Sequence, residues 1–157
     1  MSQIITDHAG SVNCVAALER LLVTGGSDGN VNIYNLDSSG QYTLNQTIRL
    51  APFYPLTLSL QSTKNRTLLA IGGSSSKIHL YALSTNEPSF TTVATLKGHE
   101  DWIRGLDFAV SNTDIYLASA SQDRYIRLWK ITQSATTDLE NDTDAMYKPL
   151  SKQNLTS

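Results

Sequence analysis

Three residues of the chain carry the chemical groups that a serine hydrolase uses. Ser119 supplies a hydroxyl, His99 an imidazole and Asp123 a carboxylate, and these groups activate a serine for attack on a carbonyl carbon when they are hydrogen-bonded in that order. However, the chain has no G-x-S-x-G turn, and Ser119 falls inside a predicted strand rather than on an exposed turn. We therefore interpret the three residues as a structural hydrogen-bond network and keep a hydrolase as the alternative.

The spacing around these residues supports the structural interpretation. Ser119 lies four residues before Asp123, and Trp129 lies six residues after it. A turn aspartate can accept bonds from backbone N–H groups and from one histidine nitrogen, while the other nitrogen meets a hydroxyl that accepts from an indole N–H. Removing one member of such a buried set leaves its partners unsatisfied, at a cost of about 1–3 kcal/mol.

The same arrangement occurs once more near the start of the chain, with a tyrosine in place of the tryptophan. Its members are His8, Thr24, Asp28 and Tyr34. A third segment, around Tyr81, lacks the histidine and the turn aspartate, and Ser75 stands at the position of the aspartate. One network is thus predicted to be intact, one substituted and one absent.

These sets belong to a longer repeat. The aromatic residues Tyr34, Tyr81 and Trp129 recur at intervals of 47 and 48 residues, each after a run of small residues and a short apolar run. A repeat of roughly 40–50 residues with short strands and small-residue turns is typical of a β-propeller blade.

The strands that position the polar residues follow from runs rich in β-branched and aromatic residues between turn formers. The predicted strands are 12–17, 21–25, 31–36 and 42–48 in a first unit (8–49); 54–60, 67–71, 77–83 and 90–96 in a second (50–96); and 102–108, 115–120 and 125–131 in a third (97–131), with a turn over 111–114. No segment shows helical periodicity with caps. The prediction is an all-β chain with about three blades of an incomplete ring.

Residues 132–157 differ in character. The stretch 136–144 is polar, acidic and almost free of β-formers, so we expect residues 132–157 to be disordered and the third blade to lack its outer strand. Because propellers close with roughly four to eight blades, three blades expose apolar end faces. We expect these residues to belong to a larger ring or to depend on another chain for closure.

Composition narrows the functional classes. A net charge of −2 gives no general attraction to nucleic acid or membranes. The single cysteine, Cys14, excludes an internal disulfide and is expected to be a small buried hydrophobe. With three dispersed histidines, no metal or cofactor site is predicted. Neither a signal peptide nor an apolar run of spanning length is visible, which predicts a cytoplasmic chain, with the nucleus as the alternative compartment.

Over residues 8–131 the chain resembles the WD-repeat superfamily, in which the Ser/Thr–His–Asp–Trp set is structural. The segments 53–60, 68–73, 96–103 and 121–129 are similar to those of one of its families, the second subunits of the Elongator complex. The resemblance implies a non-catalytic scaffold that joins the first and third subunits and supports wobble-uridine modification of transfer RNA. It also implies that the iron–sulfur, SAM and acetyl-CoA chemistry belongs to the third subunit, and that the remaining blades complete the propeller.

The resemblance also indicates where partners bind. In WD-repeat rings, partner contacts often come from the face that carries the loop before the first strand and the turn before the third strand. The matching residues are Trp102, Arg104 and Gln122 in the third unit, Asn13 and Ser27 in the first, and Tyr54 in the second. Packing between blades is the alternative for Trp102. For the whole chain, the alternative function is a generic WD-repeat adaptor in signalling or ubiquitin-ligase recruitment, and direct contact with RNA stays open.

Overall fold

The chain folds into three antiparallel sheets in sequence order. A computed structural model describes residues 2–112 and 114–131, and these ranges contain no helix and hence no helix that could span a membrane. The strands are β1 (Val12–Leu18), β2 (Leu21–Gly26), β3 (Asn30–Leu36), β4 (Tyr42–Arg49), β5 (Pro55–Ser62), β6 (Arg66–Gly73), β7 (Ser75–Ser84), β8 (Thr91–Leu96), β9 (Ile103–Ser111), β10 (Asp114–Ser121) and β11 (Ile126–Ile131). Their order is β1-β2-β3-β4, β5-β6-β7-β8 and β9-β10-β11, so each sheet is a meander.

The three sheets meet through their first strands, since β1 contacts β5 and β5 contacts β9. Apolar side chains fill the two spaces between sheets. Val23 and Ile33 of the first sheet pack with Leu58 and Ile71 of the second, while another core joins the second sheet to the third. The middle sheet is covered on both faces, which is why β6 is buried from Leu68 to Gly73 without alternation.

Hydrogen bonds also cross between the sheets. The backbone N–H groups of Leu106 and Phe108 on β9 donate to the hydroxyls of Thr57 and Ser59 on β5, each at 3.1 Å. Each hydroxyl thereby satisfies an amide on the neighbouring sheet, and the inner strands are held in register across the boundary.

Glutamine side chains form a second type of contact, in which one side-chain amide makes two hydrogen bonds to the backbone of a single residue. The Gln46 amide on β4 donates to the carbonyl of Phe90 at 2.9 Å and accepts from its N–H at 2.8 Å. Gln3 holds Tyr42 in the same way, at 2.7 and 2.8 Å. The segment that contains Gln3 therefore lies against the first sheet as β4 lies against the second.

The turns before β3 and β11 require a left-handed backbone at equivalent positions. Gly29 takes φ 79° in the first sheet, whereas Arg124 takes φ 73° in the third. Each N–H donates back across its turn, at 3.1 Å in both cases. Glycine adopts this conformation without steric cost, whereas arginine adopts it at a steric cost.

The all-β prediction is confirmed for the described residues, and each predicted strand overlaps an observed one. The main difference is the turn predicted over 111–114. Ser111 and Asp114 are instead paired residues of β9 and β10, because the ladder continues three residues beyond Phe108. The predicted disorder of 132–157, and the predicted lack of an outer strand that depends on it, lie outside the described residues.

Candidate functional site

In the third sheet, the four predicted network residues form a continuous hydrogen-bond chain. His99 Nδ1 lies 2.7 Å from Asp123 Oδ2, and His99 Nε2 lies 2.8 Å from Ser119 Oγ. Trp129 Nε1 donates to the same Oγ at 2.9 Å. Because the carboxylate can only accept, Nδ1 carries the proton; in the neutral imidazole, Nε2 then accepts from the Ser119 hydroxyl.

Distances alone would allow Ser119, His99 and Asp123 to act as a catalytic triad. The surroundings of the serine argue against it, because Ser119 is only 1% exposed and its oxygen already accepts from the indole of a fully buried Trp129. A carbonyl carbon would have to reach that oxygen for acyl transfer. The arrangement instead ties β10, β11 and the loop before β9 together.

The aspartates of both networks are strongly acidic. Burial by itself raises the pKa of Asp123, but the N–H groups of Glu100 and Tyr125 and the His99 ring outweigh it and lower that pKa to about 2. Burial also raises the pKa of Asp28, but the Ala9 and Asn30 amides and His8 outweigh it and lower that pKa to about 2. Each carboxylate thus fastens the preceding loop to its own turn.

The network in the first sheet is shorter. His8 Nδ1 lies 3.1 Å from both carboxylate oxygens of Asp28, and His8 Nε2 lies 2.8 Å from Thr24 Oγ1. Burial raises the pKa of the Tyr34 hydroxyl, a rise that Thr24 and Asn32 oppose, yet among the described residues that hydroxyl has no partner in hydrogen-bond geometry. The bonded chain therefore ends at Thr24.

The second sheet replaces the missing aspartate with two serines. Ser75 Oγ accepts the N–H of Lys77 at 3.3 Å, as Asp28 accepts that of Asn30. Ser74 Oγ accepts the N–H of Tyr54 at 3.0 Å, so it holds the preceding loop. The spacing of the repeat pointed to Ser75 and missed Ser74.

Four of the six predicted partner-binding residues come together on one surface. Arg104 Nη2 donates to Gln122 Oε1 at 2.7 Å, and the Arg104 guanidinium carbon lies 5.2 Å from the centroid of the Trp102 ring. The Tyr54 ring meets Trp102 edge-on, with centroids 6.0 Å apart and planes at 79°. We call Tyr54, Trp102, Arg104 and Gln122 the aromatic–arginine cluster. Trp102 contacts Tyr54, which lies just before β5, and its half-buried side chain still reaches the surface.

The other two predicted residues have different surroundings. Asn13 Nδ2 donates to the Pro55 carbonyl at 3.0 Å and links the first sheet to the second. Ser27 is exposed, and its N–H donates to the Ser11 carbonyl at 2.8 Å. Neither residue is among the ring and side-chain contacts that hold the aromatic–arginine cluster together.

The remaining reactive groups do not assemble into a site in the described ranges. Cys14 is half-buried, and desolvation raises the pKa of its thiol to about 11. Such a thiol is almost entirely protonated at neutral pH and is a poor nucleophile. Within residues 2–112 and 114–131, no three His, Cys, Asp or Glu side chains group as metal ligands.

Comparison with known proteins places this geometry in a family. The model of the WD domain, G-beta repeat, matches residues 1–35 and 90–130, which contain the two hydrogen-bond networks. This chain is a WD-repeat protein. Two solved structures show the same fold: "Structure of U3-55K" (TM-score 0.69, 19% identity, 96% of this chain and 41% of that chain) and "Crystal structure of RRP9 WD40 repeats" (TM-score 0.68, 19% identity, 96% and 40%). The three sheets are thus blades of a propeller, and the described ring is incomplete.

Curated relatives at higher identity share one name, Elongator complex protein 2. The Saccharomyces cerevisiae protein is 34% identical over 94% of this chain and 20% of its own length. The Homo sapiens protein is 35% identical over 82% of this chain and 15% of its own length. For the Schizosaccharomyces pombe protein the values are 36%, 78% and 16%. The chain therefore spans about a fifth or less of the length of these relatives.

Proposed function

We propose that this chain is a non-catalytic protein-interaction scaffold of the Elongator complex, which supports wobble-uridine modification of transfer RNA. The observation that carries the proposal is its similarity to Elongator complex protein 2 over 94% of the chain in one relative and 92% in another. Its partners in this proposal are the first and third subunits of the complex and the remaining blades of a propeller. We place it in the cytoplasm, with the nucleus as a second compartment.

The chemistry of the blades supports a scaffold rather than an enzyme. The Ser–His–Asp groups of the third blade are hydrogen-bonded to one another, and Ser119 is too deeply buried for a substrate to reach it. What the surface offers is the aromatic–arginine cluster, and Trp, Tyr and Arg are the residue types that most often dominate binding energy at protein interfaces.

Affinity purification of the tagged chain followed by mass spectrometry tests the proposal. We expect the large first subunit and the acetyltransferase third subunit of Elongator to be recovered with it. Recovery of signalling proteins or ubiquitin-ligase components in their place would favour a generic WD-repeat adaptor. Hydrolysis of an ester or peptide substrate by the purified chain, lost in a folded Ser119→Ala variant, would contradict the non-catalytic assignment.

A further inference from the structure

The aromatic–arginine cluster presents more hydrogen-bond donors than acceptors. Arginine can only donate, so the Gln122 side chain must turn its carbonyl oxygen toward Arg104 to form the 2.7 Å bond. That orientation leaves the Gln122 NH2 group, the remaining guanidinium N–H groups and the Trp102 indole N–H as donors for a ligand. The acceptors left in the cluster are the Tyr54 hydroxyl and the second lone pair of Gln122 Oε1.

The positive charge of Arg104 has no counter-ion in the described part of the chain. The ion pairs formed there join His8 to Asp28, His99 to Asp123 and Lys130 to Asp114. Two acidic residues lie three positions from Arg104 in sequence. Asp101 uses Oδ1 to accept the Trp102 N–H at 2.7 Å, and Asp107 on β9 is not a member of any of these ion pairs. Arg104 is thus an exposed cation, already oriented by Gln122 and by the Trp102 ring.

We infer that this cluster binds a carboxylate side chain within a partly apolar segment of a partner protein. The inference rests on the proposed scaffold function and specifies the chemistry of its ligand. A guanidinium fork matches a carboxylate with two parallel hydrogen bonds. The perpendicular Tyr54 and Trp102 rings supply an apolar wall beside it, which an aliphatic or aromatic neighbour of the acidic residue covers.

A protein ligand fits better than a nucleic acid. Binding to nucleic acid draws most of its free energy from several Lys or Arg contacts to phosphates. The cluster contains one arginine, and the chain has a net charge of −2. One oriented guanidinium next to two aromatic rings instead resembles the central anchor of a protein interface.

A substitution inside the cluster provides the test. Gln122→Glu places a carboxylate where the Gln122 carbonyl now holds Arg104, so the chain neutralises its own guanidinium. A random heptapeptide library is selected on the immobilised chain and counter-selected on this variant. We expect the enriched peptides to carry Asp or Glu beside an apolar residue. Gln41→Glu makes the same chemical change at an exposed position before β4 and serves as the control.

Binding constants then decide the outcome. For an enriched peptide, Gln122→Glu should weaken binding about tenfold or more, the equivalent of one charge-assisted hydrogen bond, and so should replacing the peptide's acid by its amide; Gln41→Glu should change it little. Enrichment of neutral or basic peptides at the cluster would overturn the carboxylate assignment and leave the scaffold proposal standing. The inference also fails if no enriched peptide depends on Gln122, or if a single-stranded RNA oligonucleotide binds the cluster more tightly.

Discussion

The Ser119 hydroxyl bonds to two side chains, those of His99 and Trp129, and therefore distinguishes the network of the third sheet from that of the first. Ser119→Ala removes the partner of both His99 Nε2 and Trp129 Nε1, whereas Thr24→Ala removes the partner of His8 Nε2 alone. We expect Ser119→Ala to lower the free energy of unfolding by about 2–4 kcal/mol and Thr24→Ala by about half as much. Urea denaturation monitored by tryptophan fluorescence measures both; equal losses would show that the indole bond contributes nothing.

The low pKa values of Asp28 and Asp123 give the protein an acid-sensitive stability. Both folded-state pKa values are about 2, below the value of about 4 for an aspartate in an unfolded chain. The stabilisation is therefore complete above pH 4 or so and is lost as the pH falls from about 4 to about 2. Asp123→Asn should be less stable at neutral pH but lose less of its stability over that range. Asp107→Asn, at an exposed position on β9, should follow the wild type.

At the scale of the elements, the close approach of the second and third sheets depends on Gly72. A Cβ added to Gly72 would lie 2.5 Å from Ile103 Cγ2, whereas one added to Gly105 on β9 would meet only the Ala120 Cβ, at 3.7 Å. We expect Gly72→Ala to destabilise the protein by about 1–3 kcal/mol through overpacking, and Gly105→Ala to have little effect. Thermal unfolding of the two variants side by side checks this, and a Gly72→Ala melting curve that matches the wild type would disprove the tight contact.

The elements also show what the sequence could predict. Strands and turns follow local composition, and the spacing of His99, Ser119 and Asp123 follows from the repeat. Contacts between sheets have no such local signal, because Gln46 and Phe90 lie 44 residues apart. Ser74 was missed because the repeat places Ser75, not Ser74, at the position of Asp28 and Asp123. The hydroxyl that accepts from the preceding loop nevertheless belongs to Ser74. The left-handed Arg124 was missed because arginine gives no hint of that conformation.

At the scale of the whole molecule, the described arc ends in two sheets that each have an uncovered face. Trp129 and Ile131 of β11 pack toward the second sheet, so the alternate residues Ile126 and Leu128 face away from it and are 57% and 46% exposed. Val15 on β1 is 63% exposed. Apolar patches of this kind promote association.

We therefore expect the isolated chain to associate as its concentration rises. Leu128→Lys should shift the distribution toward the monomer, because it places a charge on the uncovered face of the third sheet. Ile4→Lys is the control, since Ile4 is 86% exposed and lies outside the sheets. Sedimentation velocity over a concentration series measures the effect. A wild-type chain that stays monomeric and unfolds cooperatively at every concentration would contradict the incomplete-ring account.

The central claim is that the chain acts by holding partners on the surface that contains the aromatic–arginine cluster. Its most direct test is affinity purification of the chain with Arg104→Ala and Gln122→Ala combined, beside the wild type and the Gln41→Ala control. We predict that the double variant keeps the wild-type circular dichroism and melting temperature. It should no longer recover the first and third Elongator subunits that the proposed function expects with the wild type. Undiminished recovery of those subunits with a folded double variant would contradict the claim and place the binding surface elsewhere.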